Sequence, residues 1–259
     1  MLVPILISAV AAVFGLAIGS FLNVLIYRIP KKEDFVKVSS HCMACGHRLS
    51  WYDLVPLFSW LCLGGKCRYC KAPISKQYPV VELGNAVLWF FVFLSQLVAA
   101  KQDPMALLHA LLLSLMCSAL LALSVIDFRT YEIPVGFNIF IAALAVVRLL
   151  LDLSAWKSAL IGLFCISVPL LLIFLVSKGR AIGGGDVKLM AACGLMIGWQ
   201  HICFAFIVGC ILGSVIHIIR MRVSGAEHVL AMGPYLSLGV LLSLFLCDPF
   251  VNWYISLLA

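Results

Sequence analysis

At 259 residues, 64% hydrophobic and 11% charged, with a mean hydropathy of +1.14, the chain carries too little charge to solvate a globular surface. That composition excludes a water-soluble domain and predicts an all-α, polytopic membrane protein, because only self-satisfied helices or closed barrels cross a bilayer. Its net charge of +7 fits contact with anionic lipid and calls for no nucleic-acid partner.

Hydrophobic runs fall at 3–26, 80–99, 104–126, 134–151, 157–177, 187–219 and 229–256. The first has no charged segment before it and no cleavage pattern after it, so it reads as a retained helix and not a removed signal. Gly15 and Gly19 in this run form a small-xxx-small pattern suited to close helix packing, and Asn23 can bond across helices. The run 187–219 is too long for one ordinary span of ~20 residues, and "GWQH" at 198–201 supplies a break. About eight spans result, or seven if that run is one tilted helix. Pro104 and Pro134 sit near helix starts, where a missing N–H is tolerated.

Orientation follows from Lys and Arg. With eight spans and the N-terminus outside, fifteen basic residues face inward and three, Lys101, Arg148 and Lys157, face outward. This predicts a multi-pass protein of the cytoplasmic membrane whose polar insertion, 27–79, lies on the inner side.

That insertion holds Cys42, Cys45, Cys67 and Cys70 as C-x2-C … C-x2-C, with 21 residues between the pairs. Two such pairs can grip one tetrahedral Zn2+ and staple a small loop domain with little core. Gly46 suits the tight turn after Cys45, and Lys66, Arg68 and Lys71 favour thiolates. Disulfides conflict with the reducing side of the membrane; thiol redox chemistry and idle thiols remain as alternatives. His41, His47 and Cys62 are spare ligands, and "LVPLFSWLCL" at 54–63 either forms a compact apolar centre or lies on the membrane surface. The remaining cysteines read as packing residues, and His109, His201 and His217 as polar punctuation in packed helices. The chain thus divides into a first transmembrane helix (1–26), a four-cysteine zinc-type domain (27–79) and a larger transmembrane domain (80–259).

Asp127 ends the run "LLALSVIDF", and Asp186 opens the sixth span within "AIGGGDVKLM", both toward the inner side. An acid at a membrane span is a candidate functional group by default. If the third and sixth spans pack together, the two carboxyls can share a proton and activate a water between them. Alternatively each caps a helix or pairs with Arg129 or Lys188, or both line an ion or proton pathway. Gly183, Gly184 and Gly185 beside Asp186 give open backbone to which an extended chain can draw close. Glu82 opens the second span, where it can cap that helix or contact a cationic ligand. Lys188 points away from Asp186 on a helix and snorkels to headgroups.

Six segments in order, "GSFLNVLIYRIP" (19–30), the paired C-x-x-C, "YPVVEL" (78–83), "IDFRTYEIP" (126–134), "GGGDVKLMAACG" (183–194) and "MGPYLSLG" (232–239), resemble the type IV prepilin peptidases, membrane aspartic proteases of the GxGD type. The resemblance runs through nearly the whole chain. It implies that Asp127 and Asp186 are the catalytic pair and that the substrates are prepilins or pseudopilins. Their basic leader would be cut at the cytoplasmic face after a glycine, in service of a type IV pilus or type II secretion. It also implies N-methylation of the new terminus with S-adenosylmethionine, an activity associated with the cysteine loop, and makes Glu82 a possible leader or methyl-donor contact. Two positions depart from the family pattern. Val135 stands where many members carry an acid or amide, and Ala86 where many carry glycine; an extra methyl group at 86 would crowd a donor approaching that backbone. A peptidase lacking methyl transfer, and a transporter using the two acids as ion ligands, are the competing expectations.

Overall fold

The computed structural model describes residues 2–99, 105–224 and 230–258; Lys101 and Pro104 lie outside them. Ten α-helices are formed by the described residues: α1 Leu2–Arg28, α2 Phe58–Cys62, α3 Gln77–Ala99, α4 Ala106–Thr130, α5 Val135–Leu151, α6 Trp156–Cys165, α7 Ser167–Val176, α8 Gly184–Ile197, α9 Trp199–Ser224 and α10 Gly233–Leu258. There is no strand among the described residues, only two isolated bridges in the cysteine loop. The expected all-α, multi-pass architecture is what the chain adopts.

With α6 and α7 taken as one membrane segment, eight helical segments match the eight expected. Six are long and apolar enough to cross a membrane; α5, with 17 residues, and α8, with 14, are shorter. At ~1.5 Å per residue, α8 reaches only ~21 Å, less than a bilayer core. It stops because Gly198 takes φ +84°, a left-handed conformation that side chains avoid, so the long run 187–219 is two helices.

The chain divides into two compact units, Met1–Ala122 and Leu123–Ala259. In the first, α1 and α3 pack along their length. Gly15 and Gly19 make this possible: a Cβ on Gly15 would meet Trp89 Cγ at 2.9 Å, and one on Gly19 would meet Glu82 Cα at 2.7 Å. Polar groups lock the register. Asn85 donates to the Gly15 carbonyl at 2.8 Å, and Ser118 donates to Asn85 at 2.8 Å while accepting from Trp89 Nε1 at 2.9 Å. Asn23 donates to the Tyr78 carbonyl at 3.1 Å, the cross-helix bond expected of it.

In the second unit α8 is the central element, touching α5, α6, α7, α9 and α10, with nine of its 14 residues buried. Gly162 of α6 and Gly194 of α8 sit backbone to backbone, each occupying the space where the other's Cβ would be. The half-buried Arg148 of α5 donates to the Met196 carbonyl, so a cation closes the negative end of α8.

Candidate active site and metal centre

Within the second unit, Asp127 lies in the last turn of α4 and Asp186 in the first turn of α8. Both are buried, and they are close enough for the charge of Asp127 to act on Asp186. Sequence reasoning could place each acid at the edge of an apolar run; the fold supplies their proximity. Asp127 Oδ2 accepts from the Gly233 backbone N–H at 2.9 Å. Asp186 Oδ1 is buried with no hydrogen-bond partner, an orphaned acceptor that a substrate or water would satisfy. Lys188 forms no ion pair with either acid among the described residues and is exposed, as expected.

The three glycines are used differently from one another. None has a positive φ, and Gly183 is extended and caps α8, so an unusual backbone conformation is not what they provide. Space is. A Cβ on Gly183 would lie 3.1 Å from Asp186 Oδ2, and one on Gly185 would lie 2.9 Å from Ile133 Cβ. Gly184 would meet only Phe174, at an ordinary 3.6 Å.

Two residues were not singled out from sequence. Gly233, at the start of α10, would place a Cβ 2.7 Å from Asp127 Oδ2 and 3.2 Å from Ile133 Cδ1. Ile133 thus fills the space beside both Gly185 and Gly233. Their signal was present in the quoted segments "IDFRTYEIP" and "MGPYLSLG", but nothing local ties Gly233 to an aspartate 106 residues away.

Glu82 is no helix cap. α3 begins at Gln77, so Glu82 is well inside it, buried, and accepts from the Leu57 N–H at 2.7 Å, tying the loop to the helix. Arg28, at the end of α1, anchors the loop's other arm by donating to the carbonyls of Asp34, Val38 and Ser39. Between these anchors lies a cavity of about 390 Å³, whose wall includes Asn23, Tyr27, Tyr78, Glu82, Asp53 and Trp60. Ala86 is not on that wall; it packs against Gly15 in the α1–α3 interface.

The four loop cysteines converge: their sulfurs all lie within 4.8 Å of one another, and Cys42 and Cys70 are 3.8 Å apart. A tetrahedral Zn2+ with Zn–S of ~2.3 Å requires sulfurs ~3.8 Å apart, so the set fits zinc. Each C-x2-C pair sits on a matching turn: Cys42 N–H bonds to His47 and Cys67 N–H to Ala72, at 2.9 and 2.8 Å. Gly46 (φ +69°) and Lys71 (φ +59°) close the two turns at equivalent positions. The Cys45 and Ala44 backbone N–H groups hold the Cys42 thiol down to about 6. At Cys70 the Ala72 N–H also favours thiolate, but desolvation and the neighbouring sulfurs outweigh it and push the thiol up to about 11. Four thiolates this close repel one another, and a dication is what lets all four ionise. Arg68 does not serve them: it pairs with Asp53 at 2.7 Å. His41, His47 and Cys62 stay outside the cluster, and His47 stacks on Tyr69. Trp51, Leu54, Phe58 and Leu61 are exposed, so "LVPLFSWLCL" forms no compact centre.

The bacterial peptidase A24 N-terminal domain matches residues 13–96, and the type IV leader peptidase family matches residues 114–218. A prepilin leader peptidase/N-methyltransferase of Myxococcus xanthus is 32% identical over 82% of this chain, which spans 63% of that relative. The proteins of the same name from Burkholderia pseudomallei (31% identical, 93% of this chain, 86% of the relative) and Vibrio cholerae (34%, 82% and 86%) are covered more fully. No solved structure matches.

Proposed function

The chain belongs to the type IV leader peptidase family, and from that premise we propose that it removes the basic leader of prepilins or pseudopilins by hydrolysis at Asp127 and Asp186. The observation that carries this is the meeting of two buried acids from α4 and α8 within one unit, one of them with an orphaned oxygen. In this proposal the two carboxyls share one proton when water and substrate are in place. The carboxylate takes a proton from water, the hydroxide adds to the scissile carbonyl, and the carboxylic acid protonates that oxygen. Collapse of the tetrahedral adduct then breaks the C–N bond as the amine is protonated. Glycine at 183 and 233 leaves room for the two carboxylates, which a side chain at either position would crowd. A basic leader concentrated at an anionic inner leaflet, with its apolar helix still in lipid, delivers the bond to the membrane's cytoplasmic edge.

Methylation of the new N-terminus is the second step of the proposal. S-adenosylmethionine would supply an electrophilic methyl group. The 390 Å³ cavity is of small-molecule size, and Glu82 and the aromatic rings on its wall suit a cationic, adenine-bearing ligand. Within it Glu82 would hold positive charge, and Ala86, packed against Gly15, leaves the ligand's space free. The zinc of the four-cysteine cluster would fold the loop that forms one wall; it carries no part of the peptide chemistry.

Mass spectrometry of a purified prepilin incubated with the full-length protein in detergent, with and without S-adenosylmethionine, separates the steps. Leader loss in both reactions and one added methyl group only with the donor are expected. An intact leader in both would refute the proposed activity.

A further inference from the structure

The end of α8 remote from the aspartates carries a second cluster of metal-ligating groups. His201 lies in the first turn of α9, just past the Gly198 break, and Cys247 and Asp248 lie next to each other on α10. Their ligand atoms all fall within 4.8 Å of one another. All three belong to the second unit, and the length of α8, ~20 Å, separates them from Asp186. We propose that His201 Nε2, Cys247 Sγ and one Asp248 carboxylate oxygen form a Zn2+ site distinct from the four-cysteine centre.

Three observations support a metal over an ordinary ion pair. His201 Nε2 and Asp248 Oδ1 are 3.6 Å apart, beyond hydrogen-bonding distance. Two ligands ~2.0–2.1 Å from a tetrahedral ion stand ~3.4 Å apart, so a shift of a few tenths of an ångström closes the pair on zinc. The donor set comes next. A thiolate, an imidazole and one carboxylate suit Zn2+ and not Mg2+ or Ca2+, which take oxygen ligands. Finally, charge and access agree. Thiolate and carboxylate together neutralise the dication, which matters beside lipid. Cys247 is buried and holds the ion from inside, whereas the Asp248 side chain is largely exposed and gives a route from solvent. Cys203, two residues past His201, does not join the group; its sulfur lies 3.8 Å from that of Cys165. The fourth position therefore goes to water. Arg148, the neighbouring cation that reaches His201 electrostatically, has its guanidinium committed to the Met196 carbonyl.

Such an ion ties the start of α9 to α10. Binding only the folded chain, it stabilises the second unit by mass action.

The test counts zinc. Full-length protein in detergent is equilibrated with Zn2+, desalted, and measured for metal per chain. Wild type should retain two ions, and His201→Ala and Cys247→Ser one each. Asp248→Asn, which preserves shape, should weaken the second ion by ~10-fold or more. Cobalt substitution tells the centres apart: the second equivalent, with one thiolate against four, should add about a quarter of the first one's sulfur-to-metal charge-transfer intensity. Zinc should raise the thermal midpoint of wild type more than that of His201→Ala. Wild type saturating at one ion, or a second ion retained by both His201→Ala and Cys247→Ser, would overturn the site.

Discussion

At the scale of single residues, the site is set by where side chains are missing. Gly233 gives Asp127 its N–H donor and leaves room for the carboxylate; a Cβ there would sit 2.7 Å from Oδ2. Gly233→Ala is therefore expected to displace Asp127 and slow leader release by ~10²-fold, since an ångström of misplacement has that effect. Gly184→Ala, facing only Phe174 at 3.6 Å, should keep near-wild-type rates in the same assay. Equal rates for the two variants would mean that the free volume at Gly233 is irrelevant. In the loop, Lys71 adopts the left-handed conformation that Gly46 takes in the companion turn. Lys71→Gly should relieve about 1 kcal/mol of strain and slow the loss of zinc to a chelator. Faster release would contradict the matched-turn account.

Elements were legible to different degrees. Apolar runs bounded by Pro, Gly and charge gave the segments nearly in place, and Gly198 divides the longest run where "GWQH" suggested. The positions of Asp127 and Asp186 at the edges of apolar runs were legible too, but whether they cap, pair or act together was not. What a linear pattern does not carry is contact across distance. Arg68 reads as a helper for the cysteines until the fold puts Asp53 against it. Likewise Glu82 looks terminal because the apolar run begins near it, yet α3 starts at Gln77, its first turn built from residues too polar to join the run. Helix crossings are equally hidden: Gly162 and Gly194 are unremarked in sequence, but their backbones touch. Gly194→Leu has nowhere to put its side chain and should lower the thermal midpoint of the purified protein, by overpacking of ~1–3 kcal/mol or more. An unchanged midpoint would show that α6 and α8 separate without consequence.

For the whole molecule, the proposed activities divide between the two compact units. The acids lie in the second, whereas the four-cysteine cluster, Glu82 and the 390 Å³ cavity lie in the first. Replacing Cys42 and Cys67 with serine should release the loop zinc and abolish methylation while leader cleavage persists at a reduced rate. Paired mass measurements of leader and methyl group report both outcomes, and complete loss of cleavage with the protein still folded would show that the units are not separable in function. The bias of Lys and Arg further predicts that a probe at Ser50 in the loop is labelled only from the cytoplasmic side of inverted vesicles.

The proposed cleavage rests on Asp127 and Asp186 acting as one unit. The most direct measurement is the single-turnover rate of leader cleavage by Asp127→Asn and Asp186→Asn, each of which keeps side-chain shape while removing the shared proton's exchange. Both variants should purify with wild-type thermal midpoints and lose ~10³-fold or more in rate, with the double variant no slower than either single one. A variant that still cuts at a rate near wild type would contradict the paired-acid mechanism.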